Sequence, residues 1–219
     1  MKLKDIKTLI TSGTILLALG LYMVFGNPPP KKEEVEKEQQ QTESTSKDSV
    51  AEHSAIISLQ EAEQVTGKKA ETVEFLSAND GDTISVQMDG EKKRVRLLMI
   101  DTPEMNYDKG DPMPYAEEAK AFTVDLLENA QSIELLFDKG PETDKYDRLL
   151  AYVYVDGVML QEALLEEGLA AVRYVNKPNN SLEQQLRSIQ KDAEKAGNNI
   201  WAHEGYFQKD GFHAEAIQK

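Results

Sequence analysis

From Thr72 to Ala196 the chain mixes short stretches of period-two patterning with longer ones of helical spacing. Ile84, Val86 and Met88 are apolar while Ser85 and Gln87 are polar, the signature of a strand with one face buried. Val95, Leu97 and Met99 repeat the pattern, with Arg94 and Arg96 between them. Asp89-Gly90 separates the two runs. Gly accepts the positive φ that tight turns need, so the pair predicts a hairpin. A two-residue turn there sets Asp82 opposite Leu97 and Ala78 opposite Asp101. Thr72–Leu76 predicts a strand before this hairpin, and Ser132–Phe137 and Leu149–Val155 predict two after it. Asn106 to Met113 is a polar loop. Three apolar stripes mark helices: Ala119, Phe122, Leu126 and Leu127; Leu160, Leu164 and Leu165; and Leu182, Leu186, Ile189 and Ala193. Ser181 with Gln184 has the spacing of a capping box for the last of them. Five strands with three helices make an α+β domain. Periodicity leaves a small barrel and an open sheet both available.

The N-terminal part is patterned differently. Lys2, Lys4 and Lys7 precede a mostly apolar stretch from Thr8 to Gly26, just long enough for a bilayer, which takes about 20 residues. It runs out through Tyr22-Met23-Val24-Phe25-Gly26-Asn27, without the small-residue site of a cleaved signal peptide. Residues 1–26 therefore read as a membrane anchor, with a cleaved signal segment as the alternative. The basic residues before it place the following domain outside the cell. Residues 27–65 read as a disordered linker, because so polar a segment buries too little to offset its ordering entropy. Ile56, Ile57, Leu59 and Val65 leave open a short helix leaning on the domain. The folded domain is placed at residues 66–205, with a C-terminal tail at 206–219.

Charge argues against a broad basic face. The chain carries a formal −14. From Thr66 onward 18 Lys and Arg stand against 29 Asp and Glu, a net −11. There is no cysteine, which excludes disulfides and thiolate metal sites. His53, His203 and His213 are too scattered to suggest zinc.

The chemistry concentrates at one end of the hairpin, where Asp80, Asp82, Asp101 and Glu104 gather. Four carboxylates near one point repel each other unless a cation sits among them, and an all-oxygen set suits a hard ion. Asp-Gly-Asp-Thr and Asp-Thr-Pro-Glu would each serve equally well as plain turns. Their meeting at one hairpin end, beside an Arg of the returning strand, favours a site. Arg96 and Asp101 are five residues apart, about 17 Å along a straight strand, so a shared site requires the strand to curl or bulge.

Asp80-Gly81-Asp82-Thr83, the run from Val95 to Glu104, and Asp144-Lys145-Tyr146-Asp147-Arg148 together resemble the thermonuclease (staphylococcal-nuclease-like) family. The likeness continues through Tyr174, Lys177-Pro178-Asn179-Asn180 and Asn199-Ile200-Trp201, covering residues 70–203 in matching order. It implies a five-stranded OB-fold barrel and a calcium-dependent extracellular nuclease acting on DNA, with RNA as a second candidate. In that likeness Asp82, Asp101 and the Thr102 carbonyl hold calcium, and Asp80 supports them. Glu104 matches the water-activating position, and Arg96 and Arg148 the two phosphate-binding arginines. Tyr146 and Tyr174 match the wall of the nucleotide pocket, with Lys145 beside them. Asn176 stands where well-studied members have a second tyrosine, which implies weaker stacking. The alternative is a binding module on the same barrel without catalysis.

Overall fold

A computed structural model describes residues 56–107 and 110–217. The expected anchor or signal segment, Thr8 to Gly26, and most of the expected linker lie outside them. Among the described residues no helix is long and apolar enough to cross a membrane.

The predicted hairpin forms as read. Strands β3 (Thr83–Met88) and β4 (Glu91–Leu97) pair from Thr83 opposite Arg96 to Met88 opposite Glu91. Asp89 and Gly90 turn the chain at φ 50° and 79°, the left-handed values a two-residue turn needs. Leu97 N–H donates to the Asp82 carbonyl at 2.9 Å, so these two stand opposite each other as expected.

Ahead of the hairpin the chain forms β1 (Glu71–Thr72) and, after a break at the buried Val73, β2 (Glu74–Ala78). β2 pairs with β3, while β1 pairs with β6 (Ile133–Phe137). β6 lies against β7 (Leu149–Val155), and β7 runs parallel to β4. Because β1 and β2 are one interrupted strand, these pairings close a ring of five long strands. That ring is consistent with the OB-fold barrel that the resemblance implies.

One register expectation fails, and the failure makes the site. Ala78 faces Ile84, not Asp101. β4 stops at Leu97, Met99 adopts φ 60°, and β5 (Ile100–Asp101) leaves the barrel to pair with β9 (Ala171–Val172). The chain thus bends sharply between Arg96 and Asp101.

The helices number four among the described residues, one more than the apolar stripes predict. α2 (Ala116–Glu128), α3 (Leu160–Glu166, after the two-residue β8, Val158–Met159) and α4 (Glu183–Ala196) follow their stripes onto the core. The fourth, α1 (Leu59–Thr66), covers the end of the stretch read as linker, where the sequence leaves open a short helix leaning on the domain. It opens with a Ser58–Glu61 capping box and ends at the left-handed Gly67. Glu162 of α3, itself buried, accepts the N–H groups of Ile56 and Ile57, and Ile57 and Ala62 join the core. The folded unit therefore starts no later than Ile56.

The capping box expected at Ser181 is absent. Ser181 Oγ donates instead to Asp138 at 2.5 Å, and Tyr152 donates to the same carboxylate at 2.7 Å. A carboxylate buried at Asp138 requires those donors more than a helix end at the surface does. The stretch read as a tail is also ordered structure. β10 (Phe207–Gln208) and β11 (Gly211–Phe212) form a hairpin, and Tyr206 is buried beside Ile200 and Ala171. α2 reaches the site through Gly81. A Cβ on that residue would lie 2.9 Å from both Ala119 Cβ and Thr102 Cγ2, so only glycine lets the loop before β3 press onto both.

Candidate active site

The bend after β4 turns the chain so that Arg96 and Asp101 share one place. Arg96 Nη1 lies 3.1 Å from Asp82 Oδ1, and Nη2 lies 3.3 Å from Asp101 Oδ1. Both carboxylates are buried, at 4% residue exposure each. Asp82 Oδ2 accepts the Thr102 N–H at 2.9 Å, which ties the loop before β3 to the end of β5. Thr83 Oγ1 donates to Asp82 as well, and Asp82 N–H donates to Asp80 Oδ1 at 3.2 Å.

These carboxyls carry more negative charge than the arginine answers. Burial first, then the charges of Asp82 and Glu104, push Asp80 up to about 7. Burial also raises Asp101, against the hydrogen bond from Arg173, and Asp82 adds to the rise. Glu104 is raised by desolvation, then by Asp82 and Asp101.

A cavity of about 690 Å³ opens beside this cluster. Its lining brings together Arg96, Asp101, Glu104, Lys145, Tyr146, Arg148 and Tyr174. Asp80, Asp82 and Thr102 are not in its lining; Asp82 and Thr102 are buried and bonded to each other. Asp144 shapes the far wall. Its Oδ1 accepts the N–H groups of Tyr146 and Arg148 at 2.8 and 3.0 Å, and its Oδ2 takes Arg148 Nε and Nη2 at 2.8 and 2.7 Å. Desolvation opposes the Asp144 charge, but these bonds from Arg148 and Tyr146 outweigh it and hold the carboxyl below its ordinary value. Tyr146 and Tyr174 are 57% and 54% exposed, so their rings face solvent instead of capping the core. Lys145 Nζ stands 4.9 Å from the Tyr146 centroid, and Arg96 Cζ 5.6 Å from that of Tyr174.

One participant escapes sequence reading. Arg173 Nη1 lies 2.7 Å from Asp101 Oδ2. It arrives through the two-residue β5–β9 pairing, which leaves no periodic signal to read.

The donor chemistry fits a hard cation. Asp82, Asp101 and the Thr102 carbonyl are all oxygen donors, and Thr102 Oγ1 is buried without a hydrogen-bond partner. Among the described residues no three His, Cys, Asp or Glu side chains form a ready cage. The candidate set holds two carboxylates and a carbonyl, and oxygens of water or substrate would have to complete the six to eight that calcium takes.

Comparison with known proteins gives the family. The family described as staphylococcal nuclease homologue matches residues 94–203, half of the chain. The chain is 45% identical to Endonuclease YncB of Bacillus subtilis (strain 168) over 145 residues, 66% of this chain and 68% of that protein. The chain belongs to the staphylococcal nuclease family. Within that family it is also 44% identical to the SPbeta prophage-derived endonuclease YokF of the same organism, over 65% of this chain but 48% of that protein. A thermonuclease of Staphylococcus hyicus is 38% identical over 133 residues, 61% of this chain and 77% of that protein. The family match spans Arg96, Asp101, Glu104, Arg148 and Tyr174, whereas Asp80, Asp82, α1 and the β10–β11 hairpin fall outside it.

The raised carboxyls give a pH dependence of known sign. A carboxyl whose folded pKa exceeds its unfolded one binds its proton more tightly in the folded state. Its contribution is complete below about pH 4 and is lost as pH rises towards the folded value of about 7 for Asp80. In chelator, Asp80→Asn should therefore be more stable than the wild type at pH 8 and lose that advantage by pH 4. Urea denaturation at both pH values checks this, and equal midpoints at pH 8 would contradict it.

Proposed function

We propose that this protein is a calcium-dependent nuclease that hydrolyses phosphodiester bonds of DNA, with RNA as a second substrate. The observation that carries the reading is the convergence of Arg96, Glu104 and Arg148 on one cavity, against buried Asp101 and with exposed tyrosines in its lining. Relatives named endonuclease and thermonuclease support it.

Asp82, Asp101 and the Thr102 carbonyl would hold the ion. When bound, calcium supplies a Lewis acid for the phosphoryl oxygen and orients the attacking water. Arg96 and Arg148 then donate paired hydrogen bonds to the phosphate oxygens and offset the charge that builds there. Each has a carboxylate partner that keeps its guanidinium plane fixed before substrate arrives. Glu104 takes the proton from the water. Its raised pKa moves it toward the operating pH, where a general base works best. Tyr146 and Tyr174 offer stacking faces, and Lys145 a phosphate contact, so the site reads backbone and base planes rather than sequence.

The Lys-flanked segment Thr8 to Gly26 supports a domain held at the outer face of a bacterial membrane, or secreted if that segment is cut. Protease added to intact cells should release the tethered domain by cutting between Lys31 and Ser54. Soluble protein beginning near Asn27 would establish secretion instead.

The chemistry is tested by hydrolysis of single-stranded DNA with calcium and with chelator. Activity should require calcium. Arg96→Lys keeps the charge but loses the planar fork, and should lower kcat far more than it raises KM. Glu104→Gln should still bind calcium and lose activity by ~10²–10⁴-fold. Undiminished hydrolysis in chelator, or near-normal rates in both variants, would contradict the reading.

A further inference from the structure

Arg173 is a cation that the chemistry above does not use. It follows β9, and its N–H donates to the Met99 carbonyl at 2.9 Å, beside the bend that creates the site. Its guanidinium makes two polar contacts. Nη1 lies 2.7 Å from Asp101 Oδ2, and Nη2 donates to the Asp210 carbonyl in the β10–β11 turn. Gly211 leaves room for this arrangement, since a Cβ there would lie 2.8 Å from Arg173 Nη1. The same guanidinium carbon stands 4.6 Å from the centre of the Tyr174 ring. One side chain thus touches a candidate metal ligand, an aromatic of the cavity lining and the C-terminal hairpin.

We propose that Arg173 is a positioning residue that orients Asp101 for the metal and couples the metal site to the C-terminal hairpin. The inference rests on the calcium reading given above. With Oδ2 held at 2.7 Å by Arg173, Asp101 turns Oδ1 towards Arg96, whose longer 3.3 Å contact is the one an ion would share or displace. A carboxylate fixed from behind presents one oxygen in one direction, as metal ligands held by a second hydrogen-bond partner do. A planar fork fixes the directions of the carboxylate and carbonyl bonds together, whereas an ammonium on a flexible stem fixes neither. Linkage makes the coupling reciprocal: whatever loosens the hairpin weakens the metal, and the metal firms the hairpin.

The sign of the effect separates positioning from plain charge. Removing a cation beside a cation site should tighten metal binding on Coulombic grounds alone. Positioning predicts the opposite. Calorimetric titration of calcium into the full chain and into Arg173→Ala and Arg173→Lys should show both variants binding about tenfold more weakly or worse. Gly211→Ala keeps every charge but crowds the guanidinium and, at φ 132°, strains the turn that receives it, so it should also bind more weakly. Without metal, amide hydrogen exchange over residues 206–213 should be faster in Arg173→Ala than in the wild type. Calcium binding in Arg173→Ala as tight as the wild type or tighter overturns the inference, as does full restoration by lysine. Unchanged exchange in the hairpin overturns the coupling. A wild-type protein that binds no calcium overturns the calcium reading and the orienting role of Arg173 with it, while the exchange measurement still decides the coupling.

Discussion

Arg96 sits between two buried carboxylates, and the architecture around it follows from that contact. Its side chain is 12% exposed, and those of Asp82 and Asp101 are 6% and 5%. A surface ion pair contributes about 0–1 kcal/mol, but stranding one partner of a buried pair costs roughly 3–5 kcal/mol. The loop before β3, the end of β4 and the end of β5 are therefore held together by charge as well as by sheet pairing. The arrangement is still not neutral. Asp80 and Glu104 add carboxyls to the cluster, and burial first, then the charges of their carboxylate neighbours, raises both against the pull of Arg96.

The barrel contributes the bend. A straight continuation of β4 would carry Asp101 away from Arg96. The left-handed Met99 and the exit of β5 to β9 return it instead. A conformation that costs energy in a non-glycine residue, next to a functional cluster, is where such strain is commonly found. The far wall of the cavity is built independently, by Asp144 gathering the backbone of its own loop and the side chain of Arg148. Two arginines, one from the end of β4 and one from the loop before β7, thus reach one cavity, each already oriented by a carboxylate.

What could be read from the sequence had a local cause. The Asp89-Gly90 turn fixes the hairpin register, and each predicted helix stripe finds the core. What could not be read depends on distant partners. The β5–β9 pairing is two residues long and joins Asp101 to Ala171. Arg173 meets Asp101 only because of it. The sequence leaves a short helix at α1 open, and what ties it to the domain is Glu162, more than a hundred residues later, which accepts the N–H groups of Ile56 and Ile57 just ahead of it. Ser181 carries a valid cap pattern, yet a buried Asp138 claims its hydroxyl. The polar end of the chain hides a small aromatic cluster in which Phe207 and Phe212 pack at 5.1 Å.

An acidic domain with net −11 from Thr66 onward must capture a polyanion against its own long-range field. If the carboxyl cluster is a cation site, the bound ion reverses the local sign and capture rests on it and the few cations nearby. Binding of an uncleavable single-stranded oligonucleotide across a salt series, with calcium and with chelator, tests this most directly. The account predicts weak binding in chelator, marked tightening with calcium, and a shallow slope of log affinity against log salt, because few phosphates are neutralised. Tight, steeply salt-dependent binding in chelator would contradict it.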